Sequence, residues 1–307
     1  SGIRSRYLRS KPSGHGSAVD SPGLGEVLSH WSWDVPWLAA GVLAVGWYVV
    51  RWRQAAAANS AHPGWRLASY SAGVVLAMVA VLSPLEHYGN VLLWVNFTGF
   101  LVLTMIAPAL ILLGAPLTLA FRTASAPRRA SLRRIYRSRL AAMITFPVFT
   151  WLLFAVVTYI WQFTALTDRA VENAFLRDAQ QASSLAVGLL FWLPALAADP
   201  LRWRLAYPLR ALYVFVEMTH KGLFGGMFLS MNNAMHPGFA TNMPPWGLDP
   251  LTDQRIAILV LWLGGNLVFL VGFVAIIIGW MRYEQRNQHR TDWRLRLQRE
   301  AAEKKRR

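Results

Sequence analysis

The sequence predicts an all-α membrane protein with seven transmembrane helices, an N-terminus outside the cell and a cytoplasmic C-terminus. One observation is the uncharged run at residues 91–113, within the stretch 83–116. About 20 apolar residues, each rising 1.5 Å along a helix, cross the roughly 30 Å hydrocarbon core of a bilayer. A second observation is the composition. Of the 307 residues, 55% are hydrophobic and 15% are charged, whereas a soluble domain has about 25% charged residues.

Seven apolar segments follow a first stretch rich in Gly, Ser, Pro and basic residues. Several carry Trp at an end, as expected for indole rings seated among lipid head groups. Asp34 is the expected N-cap of the first helix and Asp253 that of the last, because an aspartate before an apolar run can accept from free N–H groups. The predicted spans are residues 36–50, 67–82, 91–113, 140–160, 183–198, 209–230 and 256–281. These spans divide the chain into an extended outer arm (1–35), a seven-helix transmembrane domain (36–281) and a basic cytoplasmic tail (282–307).

The arginines predict the orientation of these spans. The first, third and fifth loops and the tail are basic, whereas the second loop has no Lys or Arg and the sixth has none until Arg255. Short cytoplasmic loops carry an excess of Lys and Arg, so we expect the basic loops and the C-terminus to face the cytoplasm. The basic N-terminal arm argues the other way, but most of it lies beyond the ~20 residues over which the rule operates.

The net charge of +16 raises nucleic acid as a partner class. Most of the basic residues flank apolar segments, however, and anionic lipid head groups explain that placement directly. In residues 128–140, apolar side chains recur at helical spacing opposite arginines, which suits the inner membrane surface. We therefore predict membrane lipids, and no nucleic acid, as partners. The sequence has no cysteine, which excludes disulfides and thiolate metal sites.

Ionisable residues inside the apolar segments are few, and charge at membrane depth is unfavourable. Glu217 and Lys221 lie four residues apart in the sixth segment, where they can pair on one helix face, and His220 lies beside them. This polar cluster has two interpretations: a structural ion pair that docks the helix, or a proton or ligand site. The ion pair is favoured, because the sequence offers no second intramembrane acid.

A second cluster follows at the outer end of the same segment. Met227, Met231 and Met235 recur every fourth residue, so on a continuing helix they would form one stripe, and His236 comes next. Thioethers suit Cu(I), and an imidazole can complete such a site. The alternative is a Met-lined packing face, and Pro237 argues against a helix that continues this far.

Four stretches resemble the CtaG family of cytochrome c oxidase assembly factors, seven-span proteins implicated in providing copper to the oxidase. Their order and spacing match over most of residues 36–282. The stretches are SPLEHYGNVLL with APALILLGAPL, then LLFWLPALAADP, then YPLRALYVFVEMTHKGLFGGMFL, and finally DQRIAILVLW. The resemblance implies a role with respiratory oxidase subunits in the cell membrane of a bacterium.

The chain also departs from the family pattern. Family members carry a His-Met-x-x-His type motif early in the third span, and the two histidine positions fall here on Asn96 and Phe100. The histidines expected around the fourth span and the next outer loop are missing too, and His220 is the one family-type histidine that is retained. A phenyl ring has no lone pair to donate, and an amide is a poor copper ligand beside imidazole.

These observations lead to an interpretation and an alternative. The interpretation is a non-catalytic CtaG-like membrane protein that acts as an assembly factor or stably bound accessory subunit of a cytochrome c oxidase or related respiratory complex, with no cofactor. The alternative is a copper carrier that delivers Cu to the oxidase through the outer-face Met/His cluster. An enzyme or transporter is disfavoured, because no predicted span is broken at its middle as substrate sites often require, and no catalytic residue is assigned.

Overall fold

The structure is a computed structural model that describes residues 23–58, 62–200 and 202–306, and every regular element in these ranges is a helix. The all-α prediction is therefore confirmed. Most of the predicted outer arm, residues 1–22, lies outside the described residues. The elements in chain order are α1 (Leu24–Ser29), α2 (Val35–Ala57), α3 (Gly64–Leu82), α4 (Pro84–Gly89), α5 (Leu93–Leu101), a π-helical turn (Val102–Ile106), α6 (Ala107–Leu113), α7 (Pro116–Thr123), α8 (Ala126–Arg137), α9 (Arg139–Ile144), α10 (Pro147–Phe163), α11 (Leu166–Glu172), α12 (Ala174–Leu196), α13 (Tyr207–Leu229), α14 (Pro237–Asn242), α15 (Pro250–Leu259), a second π-helical turn (Val260–Gly264) and α16 (Gly265–Arg306).

Each of the seven predicted apolar segments is mainly helical. Among the described residues, five stretches are long and apolar enough to cross a membrane, and α10 with α11 makes a sixth if the pair, bent by 65°, is one span. α13 has 23 residues, but Glu217, His220 and Lys221 lower its hydropathy, and it is not among the candidates. The chain is thus a multi-pass membrane protein with five or six candidate spans, and the predicted seven spans with an outer N-terminus are not confirmed.

Aspartate side chains cap the N-termini of the first and last apolar helices, as the sequence predicts, but the capping residue of the last one differs from the predicted residue. Asp34 accepts a hydrogen bond from the backbone N–H of Trp37 at the start of α2, as predicted. The prediction that Asp253 caps the last helix is wrong. Asp249 performs that role, because its carboxylate accepts from two backbone N–H groups in the first turn of α15.

Two buried carboxylates instead hold the two ends of the third apolar segment. Asp253, on α15, accepts hydrogen bonds from the backbone N–H groups of Leu93 at 2.8 Å and Trp94 at 3.3 Å. It therefore caps the neighbouring helix α5. Asp199, in the loop after α12, accepts from the backbone N–H of Thr118 at 2.6 Å and from its hydroxyl at 2.7 Å, which holds the start of α7. Burial raises the pKa of Asp199, and these hydrogen bonds oppose that shift.

α12 contributes to the centre of the bundle and packs against α6, α10 and the first π-helical turn. The contact is close at Gly188, where a Cβ atom would lie 2.4 Å from the carbonyl oxygen of Thr104 and 2.7 Å from Cγ of Pro108. A glycine at this point allows the two backbones to approach, as small residues do between membrane helices. The core beside this contact is aromatic and fully buried, and it contains Phe154, Phe191, Trp192 and Phe269.

Two apolar segments each contain a π-helical turn, which widens the helix locally without breaking it. The π-helical turns Val102–Ile106 and Val260–Gly264 lie in the third and last apolar segments, and both segments continue as α-helix on either side. The turns lie close together, since a Cβ atom at Gly265 would be 3.2 Å from Sδ of Met105. π-helical turns inside α-helices occur frequently at functional sites, so this level of the bundle is where a site is best sought.

Candidate functional site

The polar cluster in α13 faces α10 and contains a partner that the sequence did not suggest. Nε2 of His220 lies 2.8 Å from the hydroxyl of Tyr159, and its Nδ1 lies 3.5 Å from Oε2 of Glu217. Glu217 is 1% exposed. The imidazole therefore lies between a phenol and a buried carboxylate.

The predicted ion pair between Glu217 and Lys221 is not formed. Among the described residues, no carboxylate oxygen lies within 4.0 Å of the Lys221 amine. Nζ of Lys221 instead lies 3.9 Å from Sδ of Met105 and 5.4 Å from the ring centroids of Phe154 and Phe269. The i,i+4 spacing places both side chains on one side of the helix, but they diverge there, Glu217 toward His220 and Lys221 toward the π-helical turns.

A pocket of about 40 Å³ that is partly open to its surroundings lies beside these groups. Glu217, His220 and Lys221 line it from α13, and Thr158 and Tyr159 line it from α10. The Thr158 hydroxyl is buried without a hydrogen-bond partner. The remaining wall is largely apolar and includes Phe97, Phe163, Phe224, Phe228 and Trp262.

A second pair of ionisable groups lies toward one end of the bundle, where α11 and α14 meet. Nδ1 of His236 is 3.5 Å from Oδ1 of Asp168, and Nε2 of His236 donates to the backbone carbonyl of Gln162 at 3.0 Å. The Gln162 side chain is completely buried, and neither its amide nitrogen nor its amide oxygen has a partner. Gln162 and Thr158 lie one helical turn apart on α10. The His236–Asp168 pair lies next to Gln162, and the α13 cluster lies next to Thr158.

The predicted Met/His cluster lies at the same end of the bundle, but not as a helical stripe. α13 ends at Leu229, so Met231 and Met235 lie in the connection beyond it. Met227 is 48% and Met231 38% exposed, whereas His236 is 4% exposed. Because both nitrogens of His236 face protein groups, copper could reach this imidazole only by displacing Gln162 or Asp168. The copper prediction itself stays a prediction.

Asn96 and Phe100, the positions that the family resemblance assigns to histidines, lie together on α5 and line a second pocket. The Asn96 amide donates to the carbonyl of Gly89 at 3.1 Å, and its oxygen is buried without a partner. An ion pair between Arg177 and Glu86, with Nε and Oε1 2.9 Å apart, lies on the rim. This cavity therefore presents amides, a hydroxyl and a neutralised ion pair, which are poor ligands for copper.

No group of three or more His, Asp or Glu side chains among the described residues is arranged to hold a metal ion. The residues that sequence reasoning missed are Thr158, Tyr159 and Gln162. For Thr158 and Gln162 a signal was present, because two polar side chains four residues apart share one helix face, and polar groups at membrane depth favour the protein interior. Tyr159 carried no such signal, since a tyrosine near a span end is read as an interfacial anchor.

The helices and the buried polar centre define the class: a multi-pass all-α membrane protein with ionisable groups in its interior. The chain belongs to the cytochrome c oxidase caa3 assembly factor family, whose model matches residues 44–283. The CtaG resemblance of the sequence is thereby confirmed.

Three curated mycobacterial relatives, each described as uncharacterized, also match the chain. The proteins from Mycobacterium bovis, Mycobacterium tuberculosis and Mycobacterium leprae are each 28% identical over 280 residues, which covers 88% of this chain and 42% of the relative. The chain therefore spans less than half the length of these relatives. No solved structure matches it significantly.

Proposed function

We propose that the chain assists the assembly of a cytochrome c oxidase in a bacterial cell membrane by contacting oxidase subunits through its helices, without catalysis and without a resident metal. Family membership supports the assembly role. The observation that supports the rest is the lining of the pocket beside α5, which contains Asn96 and Phe100, the positions that the resemblance assigns to family histidines. A phenyl ring has no lone pair to donate, and an amide is a poor copper ligand beside imidazole.

We place the contact with an oxidase subunit on the face of α13 that points away from the helix bundle. Gly226 is exposed, and a Cβ atom there would meet nothing within 4 Å. Leu223 and Met227 flank it and are 70% and 48% exposed. A small residue between larger ones lets a second membrane helix approach closely. This face therefore offers a shallow groove for one transmembrane helix of a partner.

We expect Gly226→Ile to abolish co-purification of oxidase subunits with the tagged protein, because a branched side chain fills the groove. Stability should be almost unchanged, since the new atoms project into open space. Gly46→Ile on α2 is the matched control, because a Cβ atom there also meets nothing within 4 Å. Oxidase co-purifying equally with both variants would remove α13 as the contact face.

Copper supply by the Met/His cluster is the competing function, and it is separated from the contact role by two measurements. In a strain that lacks the chain, we expect reduced oxidase activity that excess copper in the medium does not restore. Purified protein loaded with Cu(I) should show the same metal content as its Met231→Ala and His236→Ala variants. Rescue by copper, or stoichiometric copper that is lost in either variant, would favour the carrier and contradict the proposal.

A further inference from the structure

Buried polar atoms without a hydrogen-bond partner are concentrated along one side of α10. Leaving such a group unsatisfied costs about 1–3 kcal/mol, so an accumulation of them in one place needs a partner that protein atoms do not supply. Ordered water is the usual one. The atoms are Oγ1 of Thr158 and both amide atoms of Gln162, together with the facing atoms of two imidazole–carboxylate contacts of 3.5 Å, His220–Glu217 and His236–Asp168, at which no hydrogen bond forms.

These atoms are ordered along the bundle. Asp168 and His236 stand at the end formed by α11 and α14, and His236 is bonded to the backbone of Gln162. Thr158 lies one helical turn further along the same face of α10, and it lines the cavity that contains Glu217 and His220. The Asp168 side chain is 16% exposed. The series thus leads from a partly exposed carboxylate to a buried one.

We propose that this series is a hydrated route by which water enters from the α11–α14 end of the bundle and reaches Glu217 and His220. A water molecule needs roughly 10–15 Å³ of accessible volume, and the cavity offers about 40 Å³, so it holds about three water molecules. The route goes beyond the assembly role and does not depend on it. Water is the ligand class, because the unpartnered atoms are single hydrogen-bond donors and acceptors beside a pocket of about 40 Å³.

The opposite end of the route is closed. Beyond the cavity, the Lys221 amine contacts Met105 and the rings of Phe154 and Phe269. Those two rings are completely buried and belong to the aromatic core around α12. The proposed route therefore has one hydrated end and one closed end, and an intramembrane acid that water can reach from one side is a place where protons are taken up or released.

Hydroxyl-radical footprinting by X-ray radiolysis tests for the water directly, because radicals made from bound water oxidise the side chains beside it. Phe97 and Phe154 are a matched pair of reporters: they are 2% and 0% exposed, and only Phe97 lines the cavity. In the full chain in lipid nanodiscs, we expect Phe97 to be oxidised several-fold faster than Phe154. In the double variant Thr158→Val, Gln162→Leu, which removes the partners of the water, this difference should disappear. Equal oxidation of the two rings in the wild type would overturn the proposal.

Silver ions test the side from which water enters, because Ag⁺ is small and binds thiols. The natural chain has no cysteine, so Gln162→Cys carries a single thiol. In sealed vesicles, Ag⁺ should protect this thiol from later alkylation when it is added on the side where Asn232→Cys is also protected. It should not protect it from the side of Ser131→Cys, in the arginine-rich helix α8. Protection from the Ser131 side, or from neither side, would contradict the route.

Discussion

Replacing Gly188 with alanine is expected to lower the free energy of unfolding by about 3 kcal/mol, at the upper end of the range for overpacked cores. The new Cβ atom would lie 2.4 Å from the carbonyl oxygen of Thr104 and 2.9 Å from its carbonyl carbon. Both are backbone atoms of a π-helical turn, so no side-chain rotation can make room and α12 must move away. Equilibrium unfolding in mixed micelles measures the change.

Gly226→Ala is the control for this prediction. Both glycines lie inside long helices, so the change in helix propensity is the same. Only Gly188 faces a neighbouring backbone, because nothing lies within 4 Å of a Cβ atom at Gly226. If the two variants unfolded at the same denaturant concentration, the close contact between α12 and the first π-helical turn would be wrong.

The helices themselves could be predicted from the sequence. Each apolar run is long and bounded by charges, turns or prolines, so its existence is fixed by composition alone. Asp34 could be assigned as a cap because its partner, Trp37, is local. The number of spans could not be settled in this way, since Glu217, His220 and Lys221 make α13 ambiguous on hydropathy although it is a full-length helix.

The contacts of the polar groups were harder to predict, because they depend on neighbours that are distant in sequence. The spacing of Glu217 and Lys221 predicted an ion pair, yet Glu217 turns to His220, and Lys221 turns to an aromatic and thioether environment. The spacing fixes the face of α13 on which the two side chains lie. The direction in which each side chain then turns depends on its neighbours on other helices, such as Phe154 on α10 and Phe269 on α16 for Lys221. The Met/His cluster does not form a stripe on one helix, because α13 ends at Leu229, before Met231 and Met235.

The candidate site was therefore found only in part. Glu217, His220 and Lys221 were recognised as a cluster because ionisable residues are rare in an apolar span. Tyr159 and Thr158 complete the cavity from α10, and nothing in sequence spacing connects two helices that are so far apart along the chain. In a membrane, moreover, an interior face and a lipid face are both apolar, so amphipathic periodicity does not reveal which side of α10 is buried.

Replacing Asp253 with alanine is expected to lower the free energy of unfolding by about 3 kcal/mol, because it leaves two backbone N–H groups at the start of α5 without an acceptor. Asp253 is 1% exposed and binds Leu93 and Trp94 across the bundle. Hydrogen bonds to a charged, buried group are the strong ones. Asp253→Asn keeps one acceptor oxygen and should recover part of the loss. Unfolding in mixed micelles and protection of the α5 amides from hydrogen exchange measure both effects.

Asp249→Ala separates this cross-bundle cap from an ordinary one. Asp249 also accepts from two backbone N–H groups, both at 3.1 Å, but it is exposed and belongs to the helix that it caps. Water can replace its bonds, so the loss should be smaller and the α5 amides should stay protected. Equal losses in the two alanine variants would mean that Asp253 contributes no more than a surface cap. Asp253, the first residue of the DQRIAILVLW stretch, would then not be what fixes the helix that carries Asn96 and Phe100.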